Sequence, residues 1–191
     1  MSWLPRSASI ESLNTGLLAT ARHRIPRPHR RIVQHPGSLT RLLRSLCREK
    51  FHVEVLDEQM GWPTVDEALA LDLHPRARVW IREVRLCGDS QPWVRARTVI
   101  PLSSLRGHSR SLQQLGSRPL GSALFGPRPW RRQSFTSGYR MPAGDLARRS
   151  LFCRGRHRLL VTEVFLPRLW EDVLPLRKSY NTIRMDAVRP L

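Results

Sequence analysis

The stretch LLVTEVFLP, Leu159–Pro167, decides how the fold is read. It is rich in β-branched and aromatic residues and stops at a proline, as a strand does. Side chains on a strand alternate between two faces. Leu159, Val161, Glu163 and Phe165 therefore share one face, and Leu160, Thr162, Val164 and Leu166 the other. Glu163 interrupts an apolar face, as a structural salt bridge, at a strand end open to water, or as a working group. An ionised carboxylate there must find a cation or hydrogen-bond donors, or take up a proton.

Working outward, a second strand repeats the anomaly with the opposite sign. In VWIREVRLC (79–87), Trp80, Arg82, Val84 and Leu86 share a face. Arg82 is a lone cation in that row, and arginine does not escape burial by losing its proton. It needs an anion, and its planar fork suits a carboxylate. Two readings stay open. Arg82 and Glu163 pair with each other as a structural bridge, or both line a closed pocket where Arg82 meets a ligand carboxylate.

VWIREVRLC and PWVRARTVIP (92–101) flank the turn residues GDSQ, which predicts an antiparallel hairpin. KFHVEVLDE alternates and reads as another strand, with Phe51, Val53 and Val55 on one face. QSFTSGYRM (133–141) is a weaker strand, and LARRSLFC feeds through RGRH into LLVTEVFLP. Helices fall between the strands. Ser38 caps SLTRLLRSLCRE, Pro63 and Thr64 open VDEALALDL, and Pro119 starts PLGSALF. Antiparallel strands with inserted helices predict an α+β domain. Residues 1–36 read as a basic, partly disordered arm, 37–167 as the domain, and 168–191 as a C-terminal extension holding one short helix.

The chain has 191 residues and a net charge of +18, with 33 basic and 15 acidic residues. Such charge raises nucleic acid, an acidic membrane surface or a small anion as partner. The basic residues are scattered, almost all arginine, and follow no nucleic-acid-binding motif. Arg95 and Arg97 either line the same cavity or are solvated, and ARRS (147–150) reads as a surface cluster. No apolar run approaches the roughly 20 residues of a membrane span. Cys47, Cys87 and Cys153 show neither metal-ligand nor disulfide spacing, which fits a reducing, cytoplasmic setting. The Arg- and Ser-rich N-terminus has the composition of a transit peptide without a secretory core.

Several pieces resemble, in order and spacing, the chorismate pyruvate-lyase family. They are GSLT (37–40), WIRE (80–83), LCGDSQPW followed by RTVIP (97–101), LQQLGSRPLG (112–121), ARRS and LLVTEVFLP. The resemblance spans about residues 35–167. It implies an antiparallel β-sheet flanked by helices over a buried ligand cavity, with no metal and no organic cofactor. It implies removal of pyruvate from chorismate to give 4-hydroxybenzoate for ubiquinone, by a cytoplasmic monomer with no specific nucleic-acid partner.

Substrate contacts carried over by the resemblance fall on Leu39, Arg82, Leu120 and Glu163, with Arg82 and Glu163 catalytic and the leucines donating backbone N–H groups. The sequence departs from the family in three places. The helix expected before GSLT is the basic IPRPHRRIVQ, a tryptophan expected before ARRS is Leu146, and 24 residues follow Pro167. The rival function is a non-catalytic small-anion-binding module of the same fold, like the sensor domains of some transcription regulators. Those carry an N-terminal winged helix, which 36 residues cannot supply.

Overall fold

The computed structural model describes residues 18–19, 25–140 and 143–174. Six long strands form one antiparallel sheet: β2 (Phe51–Gly61), β3 (Val79–Gly88), β4 (Gln91–Pro101), β5 (Arg131–Arg140), β6 (Asp145–Arg154) and β7 (His157–Phe165). A two-residue strand, β1 (Leu18–Ala19), adds to the β5 edge. The order is β1-β5-β6-β7-β4-β3-β2. Helices α1 (Arg27–Val33), α2 (Leu39–Leu46), α3 (Val65–Leu71) and α4 (Leu120–Leu124) lie between strands. The α+β class is as the strand and helix pattern predicts.

Turn chemistry fixes the register of the hairpins. Asp89 and Ser90 both adopt positive φ between β3 and β4, as a two-residue turn of mirror type requires. Gly155, also at positive φ, and Arg156 join β6 to β7. That tight turn pairs Arg154 with His157, and counting back places Arg148 opposite Glu163. Between β2 and β3 the register slips by one residue between Val55 and Asp57. Val55 keeps the same register as Phe51 and Val53 but is exposed on this edge strand, so of the predicted face only Val53 is fully buried. The slip also brings Glu58 opposite Arg82.

The two sheet faces carry different contents. One packs α3 against a cluster of Leu71, Val79, Ile81, Val99, Leu151 and Leu160. Thr64 and Glu67 form a reciprocal capping box at the start of α3. Beside it Arg97 donates to Glu67 and Glu83 at 2.7–3.1 Å, all three buried. Arg97 is thus neither solvated nor part of the opposite face. The opposite face is covered by α2 and α4.

The packed unit extends past 37–167 on both sides. Ile32 and Val33 of α1 are fully buried in the main core, so IPRPHRRIVQ does supply a helix ahead of GSLT. Pro28 lies in its first turn, where a missing N–H costs no hydrogen bond. Residues 167–174 are helical and bury Leu169 and Val173. Asp172 of that helix accepts from Trp93 Nε1 at 2.9 Å, which ties it to β4. The rest of the predicted arm and extension lies outside the described residues, apart from Leu18 and Ala19.

Candidate active site

A cavity lies on the sheet face beneath α2 and α4. Its floor is Arg82 and Val84 of β3, Ala96 and Thr98 of β4, Val161 and Glu163 of β7, and Arg148 and Phe152 of β6. Leu39 and Leu120 form part of its roof, and Arg132 of β5 lines it too. The centres of water molecules have about 40 Å³ to occupy, room for a few waters, which restricts a ligand to small-molecule size. The four residues named from the sequence, Leu39, Arg82, Leu120 and Glu163, therefore meet in one place.

The charges do not pair as the simplest reading of the strands suggests. Arg82 and Glu163 are not partners. Arg82 Nε donates to Glu58 Oε1 at 2.7 Å, and Nη2 donates to the carbonyls of Gly116 and Arg118 at 2.6 and 3.3 Å. Among the described residues Nη1 has no protein acceptor. Glu58 thus positions Arg82 and leaves part of its fork for a ligand. Glu163 Oε2 accepts from Arg148 Nε at 2.5 Å, and Arg148 Nη1 reaches the carbonyl of His35 at 3.0 Å. ARRS is not a surface cluster: Arg148 is 1% exposed, and Arg149 pairs with Asp66 at 2.7 Å.

Arg132 is the other addition. Its Nη1 and Nη2 donate to the carbonyls of Pro36 and Gly37 at 2.6 and 3.4 Å, and its Nε is buried with no partner. Phe135 and Phe152 lie under the guanidinium, with ring centroids 5.2 and 5.1 Å away. Burial, then the neighbouring Arg148, lower its proton affinity below that of an ordinary arginine, against a smaller pull from Glu163. It stays cationic at neutral pH all the same.

Two helix starts complete the roof. Leu39 is the first residue of α2 and Leu120 the first of α4. The first N–H groups of a helix have no acceptor in their own ladder. Ser38 Oγ caps Arg41 N, and Leu39 itself lines the cavity. Gly121 lets the helices approach: a Cβ there would lie 2.7 Å from Ser38 Oγ. The arrangement can hold an anion between Arg82 and two amides, and it presents a carboxylate to a hydroxyl or a proton. Among the described residues no group of three or more His, Cys, Asp and Glu side chains is placed to hold a metal. No helix among them is long and apolar enough to cross a membrane.

Known proteins match along the same stretch. The family model described as chorismate lyase matches residues 26–174. A probable chorismate pyruvate-lyase of Marinobacter nauticus is 51% identical over 140 residues, covering 71% of this chain and 74% of that protein. Another from Aromatoleum aromaticum is 40% identical over 176 residues, covering 82% and 94%. Among solved structures, the C-terminal domain of a histidine utilization repressor from Pseudomonas syringae superposes with a TM-score of 0.46 at 12% identity, covering 62% of this chain and 93% of that one. On the family match and the identities over most of its length, the chain belongs to the chorismate lyase family.

Proposed function

We propose that the protein removes pyruvate from chorismate to give 4-hydroxybenzoate, needs no cofactor to do so, and thereby feeds ubiquinone synthesis in the cytoplasm. The observation that carries the reading is the convergence of Arg82, Glu163 and the first residues of α2 and α4 on one small cavity in a member of this family.

The reaction is an elimination. The ether C–O bond to the ring breaks, the enolpyruvyl group leaves with the bonding pair, and the ring carbon bearing the hydroxyl loses its proton. The enolpyruvate gains a proton on its methylene carbon and becomes pyruvate. Aromatisation drives the step, so the protein has to hold the substrate in a reactive shape, exclude water and stabilise the developing charge.

Arg82 with the Leu39 and Leu120 amides takes the ring carboxylate. Glu163, its second oxygen held by Arg148, accepts from the ring hydroxyl and stands near the proton that must leave. A cavity that grips the aromatic product between its floor and the two helices also releases it slowly.

The test mixes purified protein with chorismate in buffer containing a chelator and follows both products by chromatography. Equimolar 4-hydroxybenzoate and pyruvate are expected. Folded protein that binds chorismate and forms neither product is instead a sensor-like binding module.

A further inference from the structure

Arg132 takes no part in the reading above, yet it is the cation of the cavity with the least compensation. Arg82 has Glu58 and Arg148 has Glu163, each within 2.7 Å. Arg132 has no carboxylate within ion-pairing distance among the described residues. Its protein hydrogen bonds go to two neutral carbonyls, and they use two of its five N–H groups. Arg132 is half-buried with its Nε fully covered, and a partly desolvated cation without a counter-charge favours an arriving anion.

Position in the sheet separates the two ligand-facing cations. Arg82 is on β3 and Arg132 on β5, with β4, β7 and β6 between them. Four strand spacings amount to about 19 Å across a flat sheet. Both side chains line the same cavity from these opposite flanks, with Glu163 and Arg148 on the strands between them. A small ligand with an anionic group at each end matches that layout better than one with a single anion. Chorismate is a dicarboxylate, and its aromatic product keeps only one carboxylate.

We propose, resting on the lyase reading, that Arg132 is the second anion anchor and binds the carboxylate of the enolpyruvyl side chain, the one that departs with pyruvate. Arg82 holds the end that remains on the ring. Arg132 therefore discriminates substrate from product. It stabilises the enolpyruvate as the C–O bond breaks, and it loses its ligand when pyruvate leaves.

The experiment compares Arg132→Gln and Arg132→Lys with the wild type. It measures kcat/KM for chorismate, and the Kd of 4-hydroxybenzoate by calorimetry. Loss of the anchor should lower kcat/KM about 100-fold in Arg132→Gln, as losing a charge contact to a ligand in a partly desolvated site does. The Kd for 4-hydroxybenzoate should move by less than about threefold, because the product lacks that carboxylate. Arg132→Lys should regain about tenfold of the loss, since a point charge replaces part of the fork.

Equal losses for substrate and product overturn the assignment, because Arg132 would then only hold Pro36 and Gly37 in place. Unchanged kcat/KM overturns it too. A wild type that turns over no chorismate sinks the lyase reading instead. Arg132 is then read from calorimetry alone, where selective loss of chorismate affinity in Arg132→Gln supports the anchor and its absence refutes it.

Discussion

Arg148 and Glu163 face each other across the β6–β7 ladder, and their side chains close that pairing with a contact of 2.5 Å inside the cavity. Direct cross-strand partners are held by the sheet itself. The carboxylate is therefore fixed by β-sheet register rather than by a loop, and one oxygen is taken by Arg148. Glu163→Gln keeps the shape and removes the charge. Turnover should fall by a factor of about 100 or more, the usual loss when a positioned acid or base is removed. Arg148 keeps its bond to His35, so the cost in stability should be about 1–3 kcal/mol, as for a hydrogen bond to a charged group. Stopped-flow or steady-state turnover with a urea titration measures both. Normal turnover would remove Glu163 from the mechanism.

Arg82→Ala breaks a different set of contacts. It removes the proposed carboxylate anchor, strands Glu58, and frees the carbonyls of Gly116 and Arg118 that lead into α4. Affinity for 4-hydroxybenzoate should drop about 100-fold or more, because a desolvated charge contact and a positioned amide are lost together. Calorimetric titration of the product reads this without any turnover. Unchanged affinity would make Arg82 a structural residue that merely borders the cavity.

The two buried charges were legible as anomalies because strand alternation exposes any ion in an apolar row. Their partners depended on register, which alternation does not report. For Glu163 the signal was present: a two-residue Gly155–Arg156 turn, counted back, puts Arg148 opposite it. For Arg82 the signal was hidden. Unbroken pairing from Phe51 and Gly88 would set Asp57 opposite Arg82, and only the bulge after Val55 replaces it with Glu58. Arg132 had no local signal, since β5 mixes exposed and half-buried positions and bulges between Arg132 and Ser134. The α1 helix was masked by its prolines and charges, although Ile32 and Val33 bury themselves as a pair.

Gly121→Ala tests the roof. A Cβ at Gly121 would stand 2.7 Å from Ser38 Oγ and 3.5 Å from Thr40 Oγ1, at the start of α2. Something must shift there, and Leu39 and Leu120 sit on either side of the contact. Alanine also favours a helix over glycine by about 1 kcal/mol, so stability should change little. The expected result is a kcat/KM loss of about tenfold with a Tm within a few degrees of wild type, because displaced donors cost far more in reaction geometry than in folding. Full activity in this variant would mean that the closeness of α2 and α4 does not matter to the site.

Acid sensitivity should trace partly to Asp66 on the face away from the cavity. Burial pushes its carboxyl up. Hydrogen bonds from Thr64 Oγ1 at 2.5 Å and from Arg149 at 2.7 Å outweigh that, and the net shift is below the usual carboxylate range. The unfolded chain has the ordinary aspartate value of about 3.9. A depressed folded value contributes stability that is fully present above that pH and is lost as pH falls through the folded value. Asp66→Asn lacks this linkage. The difference in Tm between wild type and Asp66→Asn should be constant from pH 7 to pH 5 and shrink below about pH 4. Thermal melts across that range check it. A difference that grows as the pH falls would show that Asp66 is protonated more readily in the folded state than in the unfolded chain, and that its bonds to Thr64 and Arg149 do not offset its burial.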